Sequence, residues 1–239
     1  HIAVAGCVQD VSLDIRAGEI VGLAGIVGAG RTETAEAIAG LRHRSSGEVV
    51  RQGASVNIRK PKDAVAARIA YVSEDRKGAG LVLDMDVVEN TTLASLRRYG
   101  RLAVDAKGQR AATDEWVRRL DIRVGDVRAP VRFLSGGNQQ KVAVAKWLET
   151  QPKVLILDEP TRGVDVGAKQ EIYRLIFDLA SRGMAIIVVS SEMPEVLGLS
   201  DRVLVMADGR IRGDFINDGL RQEDLLAAAL ELPHRIDNA

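Results

Sequence analysis

The sequence predicts an α/β protein with a parallel sheet, a helical insert and a small antiparallel flap. Three observations predict it. Residues 154–157 and 185–189 are two continuously apolar runs, the pattern of strands buried on both faces. Between them Ile172, Leu175, Ile176 and Leu179 recur at helical spacing, so an amphipathic helix is expected over about 166–182. Strand, helix and strand over this length make a parallel crossover unit. The same order occurs early, with a strand over 19–23, a glycine-rich turn and a helix over about 32–39.

The other elements follow along the chain. Segments 47–50 and 55–58, separated by Gly53, read as an antiparallel hairpin. From about Val87 to Thr150 the pattern is mostly helical, and Trp116 and Leu120 share one face. The sheet returns over 202–206, and a turn at Asp208-Gly209 leads to Ile211.

Composition bounds the function. The 239 residues suffice for one domain with a sizeable core. Lys plus Arg and Asp plus Glu are 33 each, a zero balance that argues against a broad nucleic-acid or anionic-membrane surface. A single cysteine, Cys7, excludes an internal disulfide framework or a zinc cluster and fits a reducing compartment. The segment 1–7 only faintly resembles a lipoprotein cleavage box, so Cys7 is expected as a small core residue. No apolar run approaches the length of a membrane span. The chain does not begin with Met, and it is read as a piece of a longer polypeptide.

Three segments carry chemistry. The first is the turn Gly25, Ile26, Val27, Gly28, Ala29, Gly30, Arg31, Thr32, Glu33 between a strand and a helix. Glycines let backbone N–H groups turn inward around phosphate oxygens, and the helix N-terminus adds partial positive charge. Thr32 falls where a phosphate-loop hydroxyl would hold Mg²⁺, but Arg31 replaces the usual Lys. An ordinary strand-to-helix connection stays open as an alternative. The second segment ends a strand in Asp158 and Glu159, where α/β folds bind ligands. Asp158 is a candidate Mg²⁺ ligand and Glu159 a candidate base for an attacking water. Two solvated acids capping the next helix are the alternative. The third runs from Leu134 through Ser135, Gly136, Gly137 and Gln139 into a helix on which Val144, Trp147 and Leu148 share a face. Ser135 can cap it, and the glycines expose N–H groups to an anion.

Together these segments resemble the nucleotide-binding domain of ATP-binding cassette proteins, over essentially the whole chain. They occur in the family's order: phosphate loop, segment around Glu74, Leu-Ser-Gly-Gly signature, acid-ended strand, the loop at Asp165 and the switch segment after Val189. The resemblance implies a P-loop NTPase, RecA-like core (about 1–75 and 151–239), an antiparallel β-subdomain and a helical subdomain (about 76–150). It further implies two such domains sandwiching two ATP molecules. Residues 71–77, 134–141, 158–167 and 190–197 are most similar to the C-terminal cassette of bacterial monosaccharide importers of the ribose, galactose and xylose type. That resemblance implies an N-terminal cassette on the same polypeptide, membrane permease subunits, and indirectly a periplasmic sugar-binding protein. It places the protein peripherally on the cytoplasmic face of the bacterial membrane, with no direct insertion and no nucleic-acid partner.

Departures from the family pattern bear on mechanism. Arg31 is planar and always protonated, so it cannot reproduce a compact ammonium between phosphates. Ser191 stands at the position of the switch histidine, and Glu74 at that of a glutamine that senses Mg²⁺ and water. Each change weakens transition-state stabilisation. The expectation is a site that binds Mg-ATP and hydrolyses it poorly, while its signature completes a competent site on the partner cassette. The alternatives are a catalytically silent nucleotide-binding module and a nucleoside importer cassette. A GTPase is disfavoured because no Asn-Lys-x-Asp motif occurs.

Other features have bland readings. Arg97, Arg98, Arg101, Arg118 and Arg119 are expected as solvated faces, or as a permease contact. His43 and His234 are expected at the surface, and Glu192 and Glu195 at the start of a solvated helix. Nothing aromatic precedes Tyr71, so ATP is expected to be held by its phosphates with weak base discrimination.

Overall fold

A computed structural model describes residues 1–100 and 103–230. Arg101 and His234 lie outside the described residues. In chain order the strands and helices are β1 (Ile2–Val4), β2 (Val8–Val11), β3 (Ile20–Gly25), α1 (Arg31–Ile38), β4 (Val49–Arg51), β5 (Ala54–Val56), α2 (Pro61–Ala66) and β6 (Ile69–Val72). Then come α3 (Val87–Thr92), α4 (Ala106–Arg119), α5 (Gly136–Leu148), β7 (Val154–Asp158), α6 (Val166–Ser181) and β8 (Ala185–Val189). Last are α7 (Met193–Leu199), β9 (Arg202–Ala207), β10 (Arg210–Ile216) and α8 (Gln222–Ala229). The chain forms two compact units: residues 1–71, 153–159 and 179 onward, and residues 72–152 with 160–178.

The first unit is built on one sheet with strand order β1-β2-β10-β9-β3-β8-β7-β6. Its centre is parallel, with Ile20 opposite Ile186, Val154 opposite Ala185 and Gly22 opposite Val203. Every residue of β3 and β8 is buried, which is why these strands read as unbroken apolar runs rather than alternating ones. Alternation sorts β9 between two clusters. Leu204 and Met206 join Leu23, Ile156 and Ile187, whereas Val203 and Val205 join Val196 and Leu225. The hairpin β4–β5 turns at Gln52 and Gly53, both with positive φ. The β9–β10 turn does the same at Asp208 and Gly209. Such paired left-handed residues match the twist of the flanking strands. Cys7 is a correction: it is half-buried at the core's edge rather than inside it, because residues 5–7 turn between two strands. His43 is exposed, as expected.

The second unit is mostly helical. Asp86 and Glu89 form a reciprocal capping box at the start of α3. A buried carboxylate, Glu149, ties three segments together at the end of α5. It accepts from Arg98 Nη1 (2.9 Å), Tyr99 Oη (2.5 Å) and Trp116 Nε1 (2.6 Å). Arg119 stacks on the Trp116 ring at 4.5 Å. Arg98 and Arg119 are therefore corrections to the solvated-face expectation. Their neighbours on the chain offer a carboxylate and an indole that a one-dimensional reading treats as separate. Lys146 is likewise buried, donates to the Gly80 carbonyl, and has its pKa lowered by burial to about 8. Among the described residues, no helix is long and apolar enough to cross a membrane.

Candidate functional site

The glycine-rich turn leaves β3 at Gly25 and enters α1 at Arg31. Gly25 has φ 156°, and a Cβ there would stand 2.3 Å from the Met206 carbonyl oxygen. Gly30 is left-handed at φ 90°, and its Cβ would stand 2.8 Å from the Cys7 oxygen. A side chain at either position would push the turn away from its strands. Gly28 is also left-handed, while Val27 at the tip is 91 % exposed. The Gly209 N–H donates to the Ala29 carbonyl at 3.1 Å, fixing the turn's return into α1.

Asp158 ends β7 beside this turn within the same unit and is fully buried. Thr32 Oγ1 donates to its Oδ1 at 3.2 Å, and Tyr71 Oη donates to its Oδ2 at 2.7 Å. Burial pushes the Asp158 pKa up to about 6, although both hydroxyls oppose the shift. Glu159 follows with a left-handed φ of 46°, uncommon for a residue other than glycine. Its N–H is held by the Val189 carbonyl at 2.8 Å, and its Oε1 accepts the Ser191 N–H at 2.7 Å. Arg31 is buried, and its Nη1 donates to the Ser190 carbonyl. Burial lowers its pKa, while Glu159, Asp158 and Glu33 raise it. Thus Arg31, Thr32, Asp158, Glu159 and Ser191 come together as the sequence predicts, whereas Glu195 does not behave as expected. Glu195 is 3 % exposed and accepts from Ser190 Oγ at 2.5 Å. The solvated reading fails because the Ser190 hydroxyl supplies a buried donor.

The remaining candidates lie in the second unit. Ser135 caps α5, accepting from Asn138 N at 3.4 Å and Asn138 Nδ2 at 2.8 Å. Leu134 is half-buried and Gly137 buried. Gln139 is buried and donates to the Val131 carbonyl at 3.1 Å, so its side chain is engaged inside the unit. Glu74 is ion-paired with Arg162. Asp165 Oδ1 accepts the Ala168 N–H at 2.9 Å and caps α6.

The donor set beside the turn suits a hard divalent cation. A hydroxyl and a buried carboxylate are oxygen ligands of the Mg²⁺ type. The Asp158 carboxylate is hydrogen-bonded by neutral hydroxyls, which leaves most of its desolvation uncompensated. Sequence reasoning missed Tyr71 as part of this site. The available signal was a phenol on an apolar strand (Ile69–Val72), where a buried hydroxyl needs a partner.

Comparison with known proteins agrees with this geometry. The profile of the family described as "ABC transporter" matches residues 8–162. The chain is 55% identical over 226 residues to the xylose import ATP-binding protein XylG of Burkholderia cenocepacia (strain HI2424), covering 94% of this chain and 44% of that protein. It is 50% identical over 223 residues to the ribose import ATP-binding protein RbsA 2 of Rhizobium etli, covering 92% and 44%. The chain thus spans under half the length of these curated relatives. Among solved structures, the dimeric cassette MJ0796 superposes with TM-score 0.76 at 24% identity, covering 90% of this chain and 92% of that one. A nucleotide-free ATP-binding cassette superposes with TM-score 0.79 at 20% identity, covering 97% and 93%. The P-loop NTPase core expected from the sequence is the fold observed, and the chain belongs to the ABC transporter family as an ATP-binding cassette.

Proposed function

We propose that this cassette binds Mg-ATP on the turn 25–32 and serves a bacterial monosaccharide importer. The observation that carries the reading is the Thr32–Asp158–Tyr71 constellation beside the glycine turn. Inward N–H groups of Gly28, Ala29 and Gly30 would hold phosphate oxygens, aided by the α1 N-terminus. Thr32 and Asp158 would hold the cation, which when bound neutralises charge on the phosphates. Glu159 would accept a proton from the attacking water at a carboxylate oxygen. Tyr71 fixes the carboxylate of Asp158 and is a positioning residue.

Two features support slow hydrolysis at this site. Arg31 is spent on the Ser190 carbonyl, and a guanidinium so held does not act as a mobile ammonium. Ser191 meets Glu159 through its backbone N–H, and its hydroxyl lacks the reach and charge of an imidazole. Glu74, engaged by Arg162, would act on water only after leaving that pair. The signature residues Leu134, Ser135, Gly136, Gly137 and Gln139 would complete a competent site on an N-terminal cassette. Permease subunits would bring the pair to the cytoplasmic face of the membrane, and a periplasmic binding protein would deliver the sugar. A catalytically silent, nucleotide-responsive module is the second reading, favoured by the burial of Arg31.

Single-turnover ATP hydrolysis by the chain tests both, with Glu159→Gln as the control. The expected result is binding with slow, Glu159-dependent turnover. A rate matching Arg31→Lys combined with Ser191→His would overturn the slow-site reading, and no Glu159-dependent turnover at all would favour the silent module.

A further inference from the structure

Arg76 opens the π-turn Arg76–Gly80 in the second unit and is 9 % exposed. Its guanidinium has no ion pair or hydrogen bond among the described residues, and its Nε is buried without a partner. The acids beside it in sequence are occupied elsewhere. Asp75 Oδ1 accepts the Gly78 N–H at 2.9 Å, and Glu74 pairs with Arg162. A fixed charge in such a place is costly unless an anion meets it. Arginine cannot escape by losing its proton, although burial lowers its pKa.

The Nη2 end of Arg76 points at the first turn of α5. A Cβ on Gly136 would stand 3.4 Å from it, and one on Gly163 would stand 3.9 Å away. Helix α5 is 13 residues long, so its N-terminus carries partial positive potential and N–H groups with no acceptor inside the helix. Ser135 takes the Asn138 N–H, leaving those of Gly136 and Gly137. A planar guanidinium, two amides and a hydroxyl suit a tetrahedral oxyanion with several acceptors.

We propose that Arg76 and the N-terminus of α5 form one site for a phosphoryl oxyanion, with Arg76 supplying the full charge. The site rests on the nucleotide-binding reading only for its source: the phosphoryl group belongs to a nucleotide on a second cassette, or it is free phosphate.

NMR titration of the ¹⁵N-labelled chain with inorganic phosphate at constant ionic strength tests it. Saturable shifts are expected at the Gly136 and Gly137 amides and at Arg76 Nε–H. Arg76→Gln should weaken phosphate at least about tenfold, and Arg76→Lys should retain part of the affinity. Absence of these shifts, equal affinity in Arg76→Gln, or an equal response to acetate overturns the site. If Arg76→Gln does not fold, the wild-type Nε–H resonance decides alone. Mg-ATP separates the sources: shifts at Gly136 and Gly137 that grow with protein concentration mark a nucleotide on a second copy, and concentration-independent behaviour marks free phosphate. The Gly28 and Gly30 amides judge the nucleotide reading separately. If Mg-ATP leaves them unmoved while phosphate moves Gly136, that reading fails and the Arg76 site stands.

Discussion

Asp158 pays for its position with its own charge. Its carboxyl is fully buried, and burial raises its pKa from 3.8 to about 6. A folded pKa above the unfolded one means the native state binds the extra proton, so stability falls as pH rises from about 4 to about 6. The ionised form therefore costs at most about 3 kcal/mol at neutral pH. Asp158→Asn is expected to stabilise the nucleotide-free chain at pH 7.5 by about 1–3 kcal/mol and to flatten the pH dependence between 4 and 6 in urea denaturation. The same variant should lose Mg²⁺-dependent ATP binding, read by calorimetry with and without the cation. Tyr71→Phe removes a 2.7 Å donor to the same carboxylate and should cost about 1–2 kcal/mol, again by denaturation. Thr32, Asp158 and Glu159 were legible because their motif spacing encodes a local turn and a strand end. The partners of Tyr71 and Glu195 were not. The carboxylate that Tyr71 meets is 87 residues away, and the burial of Glu195 depends on a serine hydroxyl that composition reads as surface.

Among the elements, the strands were the most legible part. A strand buried on both faces must be apolar throughout, so β7 and β8 stood out without any tertiary information. The helical unit was less so, because its anchor is polar. Glu149 gathers Arg98, Tyr99 and Trp116, and no periodicity marks that convergence. Burial and the Glu149 hydrogen bond together raise the Tyr99 pKa. Glu149→Ala should strand a buried phenol and an indole N–H, at about 2–4 kcal/mol. The measurable result is a lower Tm by circular dichroism. Glu149→Gln, which keeps an acceptor, should lose less.

At the scale of the molecule, the chain spans 44% of its sugar-importer relatives, and the expected second cassette is where a Lys-bearing loop and a switch histidine belong. No aromatic precedes Tyr71, and Tyr71 itself is buried on Asp158. ATP and GTP should therefore bind the chain within about threefold of each other, since base stacking contributes on the order of 1–3 kcal/mol where it exists. A strong preference for ATP in competition calorimetry would show that another residue reads the base. Both tryptophans, Trp116 and Trp147, belong to the helical unit. The sheet unit that carries Thr32 and Asp158 is dark under indole excitation, so any change in emission when nucleotide is added to that unit reports motion or repacking in the other one.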